Sequence, residues 1–117
     1  MEQLNKIELR GNVGSVRQSR VNGRLVVNFS VATNYVYKGK DGDPVIETTW
    51  HNISAWEGRN MVGLERIGKG SRVQVLGRLR SQKYTDPDGQ EHSTYDVAAS
   101  KVSLIEGDDI LQYEFNS

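Results

Sequence analysis

The chain contains no cysteine, no apolar run of membrane-spanning length and no net charge. Without cysteine there is neither a disulfide framework nor a thiolate metal site, which suits a reducing compartment. The opening stretch, MEQLNKIELRGN, lacks the apolar core of a secretory signal, so a cytoplasmic protein with no membrane partner is expected. Groups for catalysis are equally scarce. The two histidines, His51 and His92, stand at no spacing that makes a metal site with nearby acids. The glycine stretches GNVG and GKGS lack the spacing and the Lys-Ser/Thr of a phosphate-cradling loop, and no GxSxG occurs. Neither an enzyme, a metal nor a cofactor is expected. Zero net charge also argues against a nucleic-acid partner, until the charges are located.

Four of the 15 acids, Glu106, Asp108, Asp109 and Glu114, fall after residue 105, which leaves 11 acids against all 15 Lys and Arg in the body. The body is mildly basic and the end acidic. At 117 residues the chain is long enough for one ordinary core. We therefore expect one domain over residues 1–105 and a short acidic segment over 106–117 with no fixed structure.

Extended segments separated by glycine-containing turns dominate. In NKIELRGN, Ile7 and Leu9 alternate with Lys6, Glu8 and Arg10; Gly11 and Gly14 suggest a bend, with a short strand resuming near Val16. After Val21-Asn22-Gly23, the stretch RLVVNFSVATNYVY puts Leu25, Val27, Phe29 and Val31 on one face, and its length calls for curvature or a bulge. A charged loop, KGKDGDP, leads to TTWHNISAW. Met61, Leu64 and Ile67 then repeat at helical spacing before Gly68 and Gly70, predicting a short helix. Residues 72–84 alternate again, Asp86-Pro87-Asp88-Gly89 is a strong turn, and 94–105 return. Five strands with a helix between the third and fourth is the order of the all-β oligonucleotide- and oligosaccharide-binding (OB) barrel, a Greek key whose second and third strands carry the usual ligand face. Order alone names no function.

The aromatics carry the functional signal. Trp50 and Trp56, the only tryptophans, lie six residues apart on one strand, so they share a face with Thr48, Asn52 and Ser54. That face is polar, whereas Thr49, His51, Ile53 and Ala55 form the inward one. Tyr84 shares a face with Arg78 and Arg80, with Lys83 beside it, and Tyr37 precedes Lys38 and Lys40. Exposed rings among cations suit single-stranded nucleic acid, whose bases stack at ~1–3 kcal/mol each and whose phosphates meet Lys and Arg. Strand aromatics also pack. Tyr35 and Tyr95 are read that way, and simple alternation from Phe29 turns Tyr37 inward unless a bulge intervenes.

The stretches NKIELRGNVG, NFSVATN, TTWHNISAW, KGSRVQVLGRLRSQKYTDPDG and YDVAASKVSLI, in this order over residues 4–105, resemble the bacterial single-stranded DNA-binding protein family. The resemblance implies an OB-fold homotetramer, built from dimers, that coats single-stranded DNA in replication, recombination and repair without cofactor or catalysis. By position it puts base stacking on Trp50, Trp56, Tyr84 and, with a loop one residue shorter, Tyr37. Phosphate-contacting positions fall on Lys6, Lys69, Arg80 and Lys83, to which the local charge pattern adds Lys38 and Arg78. Subunit contacts fall on His51 and on the first strand, Lys6, Ile7, Glu8, Leu9 and Arg10. Val45, Asn52, Arg66 and Gln82 stand at positions where relatives often have basic or ring residues, and the resemblance implies weaker electrostatics than a typical relative has. The family's long glycine-rich linker and acidic tip that recruits replication and repair proteins are not matched by GDDILQYEFNS. Two other classes fit the same rings, a protein-interaction barrel and an RNA-binding barrel, since no 2′-hydroxyl reader stands out.

Overall fold

A computed structural model of the protein describes residues 1–105 and 114–115; residues 106–113 and 116–117 of the expected acidic segment lie outside the described residues. Five long strands make the fold: β1 (Ile7–Val21), β2 (Arg24–Lys38), β3 (Pro44–Trp56), β5 (Arg72–Thr85) and β6 (Glu91–Leu104). Two-residue strands β4 (Met61–Val62) and β7 (Glu114–Phe115) complete it. Antiparallel ladders join β1 to β2, β2 to β3, β5 to β6 and β1 to β5, and a short parallel contact of β3 with β6 closes the barrel. This is the OB barrel.

β1 serves two neighbours. Residues 7–12 pair with β5 and residues 12–21 with β2, and the register slips by one between Val13 and Val16. That bulge inverts the alternation: Leu9, Gly11 and Val13 point inward before it, and Val16, opposite Phe29, after it. The expected bend and separate short strand are therefore one bent strand. The expected irregularity of β2 also resides in β1, because β2 pairs with β3 without a slip from Val26 to Lys38. Gly11 sits where β1 crosses β2. A Cβ there would lie 2.1 Å from the Ala32 carbonyl oxygen, so only glycine allows the approach.

The turn between β1 and β2 holds Asn22 and Gly23 at φ 52° and 79°, the pair of positive values that a two-residue hairpin turn demands. Inside the barrel, Val27, Phe29, Val31, Ile53, Ala55, Val73, Val75, Val97 and Val102 form the centre of the core. Leu64 and Ile67 close it at one end.

The predicted short helix does not form. Between β3 and β5 there is only a single 3-10 turn, Leu64–Arg66, preceded by Gly63 at φ 76°. Met61 and Val62 are extended instead, pairing with Val102 and Ser103 of β6. A left-handed glycine and the available sheet edge outweigh an apolar spacing that spans too few turns to hold a helix. Among the described residues, no helix is long and apolar enough to cross a membrane.

Candidate nucleic-acid interface

Directly paired residues project to the same side of a sheet, so the ladders show which side chains share a face. Trp56 lies opposite Val26, Ser54 opposite Asn28, Asn52 opposite Ser30 and Trp50 opposite Ala32, on the face opposite Ile53 and Ala55, and of these Val26 is itself buried. The parallel contact pairs Ser54 with Ala98, and Ala98 pairs with Arg78. The same outer face therefore continues onto β6 and β5, through Arg80 opposite Asp96, Gln82 opposite Thr94 and Tyr84 opposite His92. One polar surface thus unites both tryptophans with Tyr84, Arg78 and Arg80. Trp50, Trp56 and Tyr84 are 58%, 37% and 52% exposed.

Each of these rings is held from behind. Trp50 reaches across β2 to lie over Gly14, where a Cβ would approach Cζ3 of the indole to 2.4 Å. The floor beneath it is small: besides Gly14 it includes Ser30, whose Oγ accepts from the Ser15 N–H at 2.9 Å. Trp56 is covered on one side by the Arg24 guanidinium, 5.3 Å from the ring centroid. That guanidinium is fixed by donating to the Glu57 carbonyl at 3.3 and 3.1 Å, while the Glu57 carboxylate accepts from the Leu25 N–H at 2.9 Å. Tyr84 stacks on His92, centroids 5.1 Å apart and planes 23° apart.

His92 in turn donates from Nε2 to Asp86 Oδ2 at 2.6 Å. The other oxygen of Asp86 accepts the Asp88 and Gln90 N–H groups at 3.0 and 2.9 Å, which shapes the β5–β6 turn. The His92 bond first, and the two backbone N–H groups with it, hold the Asp86 carboxyl below its ordinary value.

The cations differ in availability. Arg78 is exposed, whereas Arg80 forms a two-pronged pair with Asp96, at 3.0 Å from Nε and 2.7 Å from Nη2. That hydrogen bond and the carboxylate charge raise the Arg80 pKa further above its already high value. Lys38 ends β2 and Lys6 precedes β1; Lys69 lies in the loop before β5, and all three are exposed. Lys83 is exposed on the side of β5 opposite Tyr84.

Tyr37 stands apart. With no slip between β2 and β3 it keeps the parity of Phe29, on the side of the hairpin opposite Trp50, half-buried beside Tyr35 at a centroid distance of 5.9 Å. Tyr95, read as a packing ring, is instead 62% exposed: it lies opposite Ser81 on the β5–β6 hairpin, one step beyond the last core residue of β6, Val97. His51 is half-buried on the inward face, hydrogen-bonded to Thr33 Oγ1 at 2.9 Å, and burial lowers its pKa from the ordinary value. Arg24 and Gly14 are the partners of the tryptophans that the sequence does not mark. No local pattern marks them, since both contacts cross between strands distant in sequence.

An open groove of about 330 Å³ runs across β1, β2, β3 and β6, lined by Ser15, Val16, Arg17, Asn28, Phe29, Asn52, Ile53 and Asp96. The whole surface offers flat rings, hydrogen-bonding amides and scattered positive charge. Among the described residues no group of three or more potential metal ligands converges.

Comparison with known proteins places this geometry among relatives. Residues 4–105 match the family described as the Single-strand binding protein family. A single-stranded DNA-binding protein of Neisseria meningitidis is 36% identical over 106 residues, which are 89% of this chain and 61% of that protein. The single-stranded DNA-binding protein 1 of Xylella fastidiosa is 34% identical over 108 residues, 90% of this chain and 79% of that one. This chain thus spans about three fifths of the Neisseria relative. Among solved structures, the Plasmodium falciparum SSB complex with ssDNA superposes with a TM-score of 0.73 at 29% identity, covering 90% of this chain and 96% of that one.

Proposed function

The chain belongs to the single-strand binding protein family, and from that premise we propose that it binds and shelters single-stranded DNA, as a binding protein and not a catalyst. Bases stack on Trp50, Trp56 and Tyr84, and the phosphates meet Arg78, Lys38, Lys69, Lys6 and Lys83. Arg80 joins them only in so far as its fork to Asp96 leaves N–H groups free. Tyr37 meets a strand that wraps round the β2–β3 hairpin to its other side. The observation that carries this reading is the junction of both tryptophans, Tyr84 and Arg78 on one continuous polar outer face. Large rings are left 37–58% exposed there, each backed by a specific partner.

Stacking is indifferent to base identity because every base has a π-face, so binding is sequence-tolerant and serves replication, recombination and repair alike. The protein acts in the cytoplasm on nucleoid DNA. It works as a homotetramer built from dimers, with the Lys6–Arg10 stretch of β1 and His51 at subunit contacts. Competition for a labelled oligothymidine by unlabelled single strand, duplex and RNA of equal length tests the reading. Single-stranded DNA should compete best, and equal competition by duplex would exclude a stacking site. Sedimentation at micromolar protein checks the tetramer.

A further inference from the structure

Near the tip of the β5–β6 hairpin one stacking ring rests on a titratable pair. Tyr84 lies directly opposite His92, whose imidazole stacks against one of its ring faces while the ring as a whole stays exposed. His92 is tied in turn to Asp86, Nε2 to Oδ2 at 2.6 Å, and the backbone of Asp86 is fixed by its N–H to the Gln90 carbonyl at 2.9 Å and by the Gly89 N–H to its own carbonyl at 3.0 Å. An ionised carboxylate only accepts, so Nε2 carries the proton. The Asp86 carboxyl stays ionised, since the His92 bond first, and the Gln90 and Asp88 N–H groups with it, hold it below its ordinary value. Neutral His92 therefore leaves one net negative charge behind Tyr84, and protonated His92 cancels it. Two steps along the same face, the Arg80–Asp96 pair is already balanced. Lys83 of β5 and Glu91 of β6 project to the opposite side, and Asp88 is exposed on the turn. Carboxylates and amines ordinarily titrate outside the span of about pH 5 to 8 in which histidines change charge.

We propose that Asp86 and His92 form a proton-sensitive backing of the Tyr84 platform, which tightens single-strand binding as pH falls. A strand stacked on the free face of Tyr84 carries its phosphates past the hairpin tip. With His92 neutral, the uncompensated Asp86 carboxylate repels them. With His92 protonated the pair is neutral and that repulsion is gone, while the ring contact that positions Tyr84 is kept in both states. Both groups reach solvent, so the charge acts through a water-like dielectric. One unit charge about 5–10 Å from a phosphate then changes affinity about two- to fourfold. Trp50 and Trp56 rest instead on a glycine and an arginine, neither of which changes charge in this range. The inference rests on the single-stranded DNA reading above and adds a regulation to one of its three rings.

The test follows the binding of labelled oligothymidine by anisotropy from about pH 8 to about pH 5, at one fixed low salt concentration, for wild type, His92→Gln and His92→Phe. Oligothymidine is the probe because thymine does not titrate in that range. His92→Phe keeps a flat ring against Tyr84 without the proton, and His92→Gln keeps a polar partner for Asp86. Wild type should bind about two- to fourfold more tightly at the lower pH, and both variants should lack that increase whatever their affinity at the higher pH. His51, the other histidine, is present in all three proteins, so its contribution cancels in the comparison. By reciprocal linkage the strand should move the His92 imidazole titration, followed by NMR, upward in pH by the logarithm of the same factor. That readout uses wild type alone and needs no variant to fold; circular dichroism at each pH checks the variants. A pH response unchanged in both variants, or a His92 titration indifferent to the strand, would overturn the inference while leaving single-strand binding intact. Failure of the wild type to bind at any pH would defeat the parent reading and this inference with it.

Discussion

Gly14→Ala should weaken single-strand binding without unfolding the barrel. A Cβ at this position would lie 2.4 Å from Trp50 Cζ3 and 2.8 Å from Cη2, whereas relaxed carbon contacts are about 3.5–4.0 Å. The indole edge must therefore retreat by about 1 Å, and it is free to do so because the ring is 58% exposed. Gly14 is not among the residues at positive φ, so alanine fits the backbone there. An off-rotamer ring costs ~0.5–1.5 kcal/mol, and alanine recovers ~0.4–1 kcal/mol by restricting the unfolded chain. Stability should thus change by less than about 1 kcal/mol. Binding has more to lose: the stack on Trp50 is worth ~1–3 kcal/mol, or ~5- to 150-fold in Kd, and Trp50→Ala sets that ceiling. Anisotropy of labelled oligothymidine should show Gly14→Ala losing part of it, and no further loss when Gly14→Ala is added to Trp50→Ala. Equal loss in both backgrounds would refute the coupling, and so would an unfolded Gly14→Ala in urea titration.

Further outcomes follow from other contacts. Gly11→Ala aims its Cβ at backbone, 2.1 Å from the Ala32 oxygen, and should cost ~1–3 kcal/mol of stability, read as a lower urea midpoint. Arg24→Ala removes a cation–π contact of ~0.5–1 kcal/mol, should change Trp56 emission, and should lower the salt slope of binding by about 1 if the guanidinium also meets a phosphate. Burial holds the folded His51 pKa below 6.5, so the unfolded state takes up a proton first as pH falls. The stability due to neutral His51 is complete above pH 6.5 and is lost below it; Tm should fall from pH 7 to pH 5, and His51→Gln should flatten that slope.

Much of this surface could be read from alternation. In TTWHNISAW the period of two puts Trp50, Asn52, Ser54 and Trp56 outward and Ile53 and Ala55 inward, as the structure has them, because β3 is regular along its length. The same rule placed Arg78, Arg80 and Tyr84 together, and the hairpin turns at Asn22-Gly23 and Asp86–Gly89 follow from residues that accept those conformations. It also turned Tyr37 inward, against the family position, and the unbroken β2–β3 register keeps it there.

What stayed hidden depends on contacts between distant segments. The Met61, Leu64, Ile67 spacing looked helical, but an edge of β6 captures Met61 and Val62, and a positive φ at Gly63 stops continuation. The supports of the stacking rings, Gly14 beneath Trp50, Arg24 over Trp56 and His92 behind Tyr84, join segments that only the folded barrel brings together. The pairing of Arg80 with Asp96 moves one expected phosphate contact partly into the protein's own network.

Intrinsic tryptophan fluorescence, followed while the protein is titrated with oligothymidine or with duplex of equal length at low and high salt, tests the stacking surface most directly. Strong quenching by the single strand alone, weakened but not abolished by salt, is the predicted result, because Trp50 and Trp56 would lose emission against bases while only the phosphate contribution is screened. No quenching at micromolar concentration, or equal quenching by duplex, would contradict it and leave the exposed rings as a surface for a protein partner.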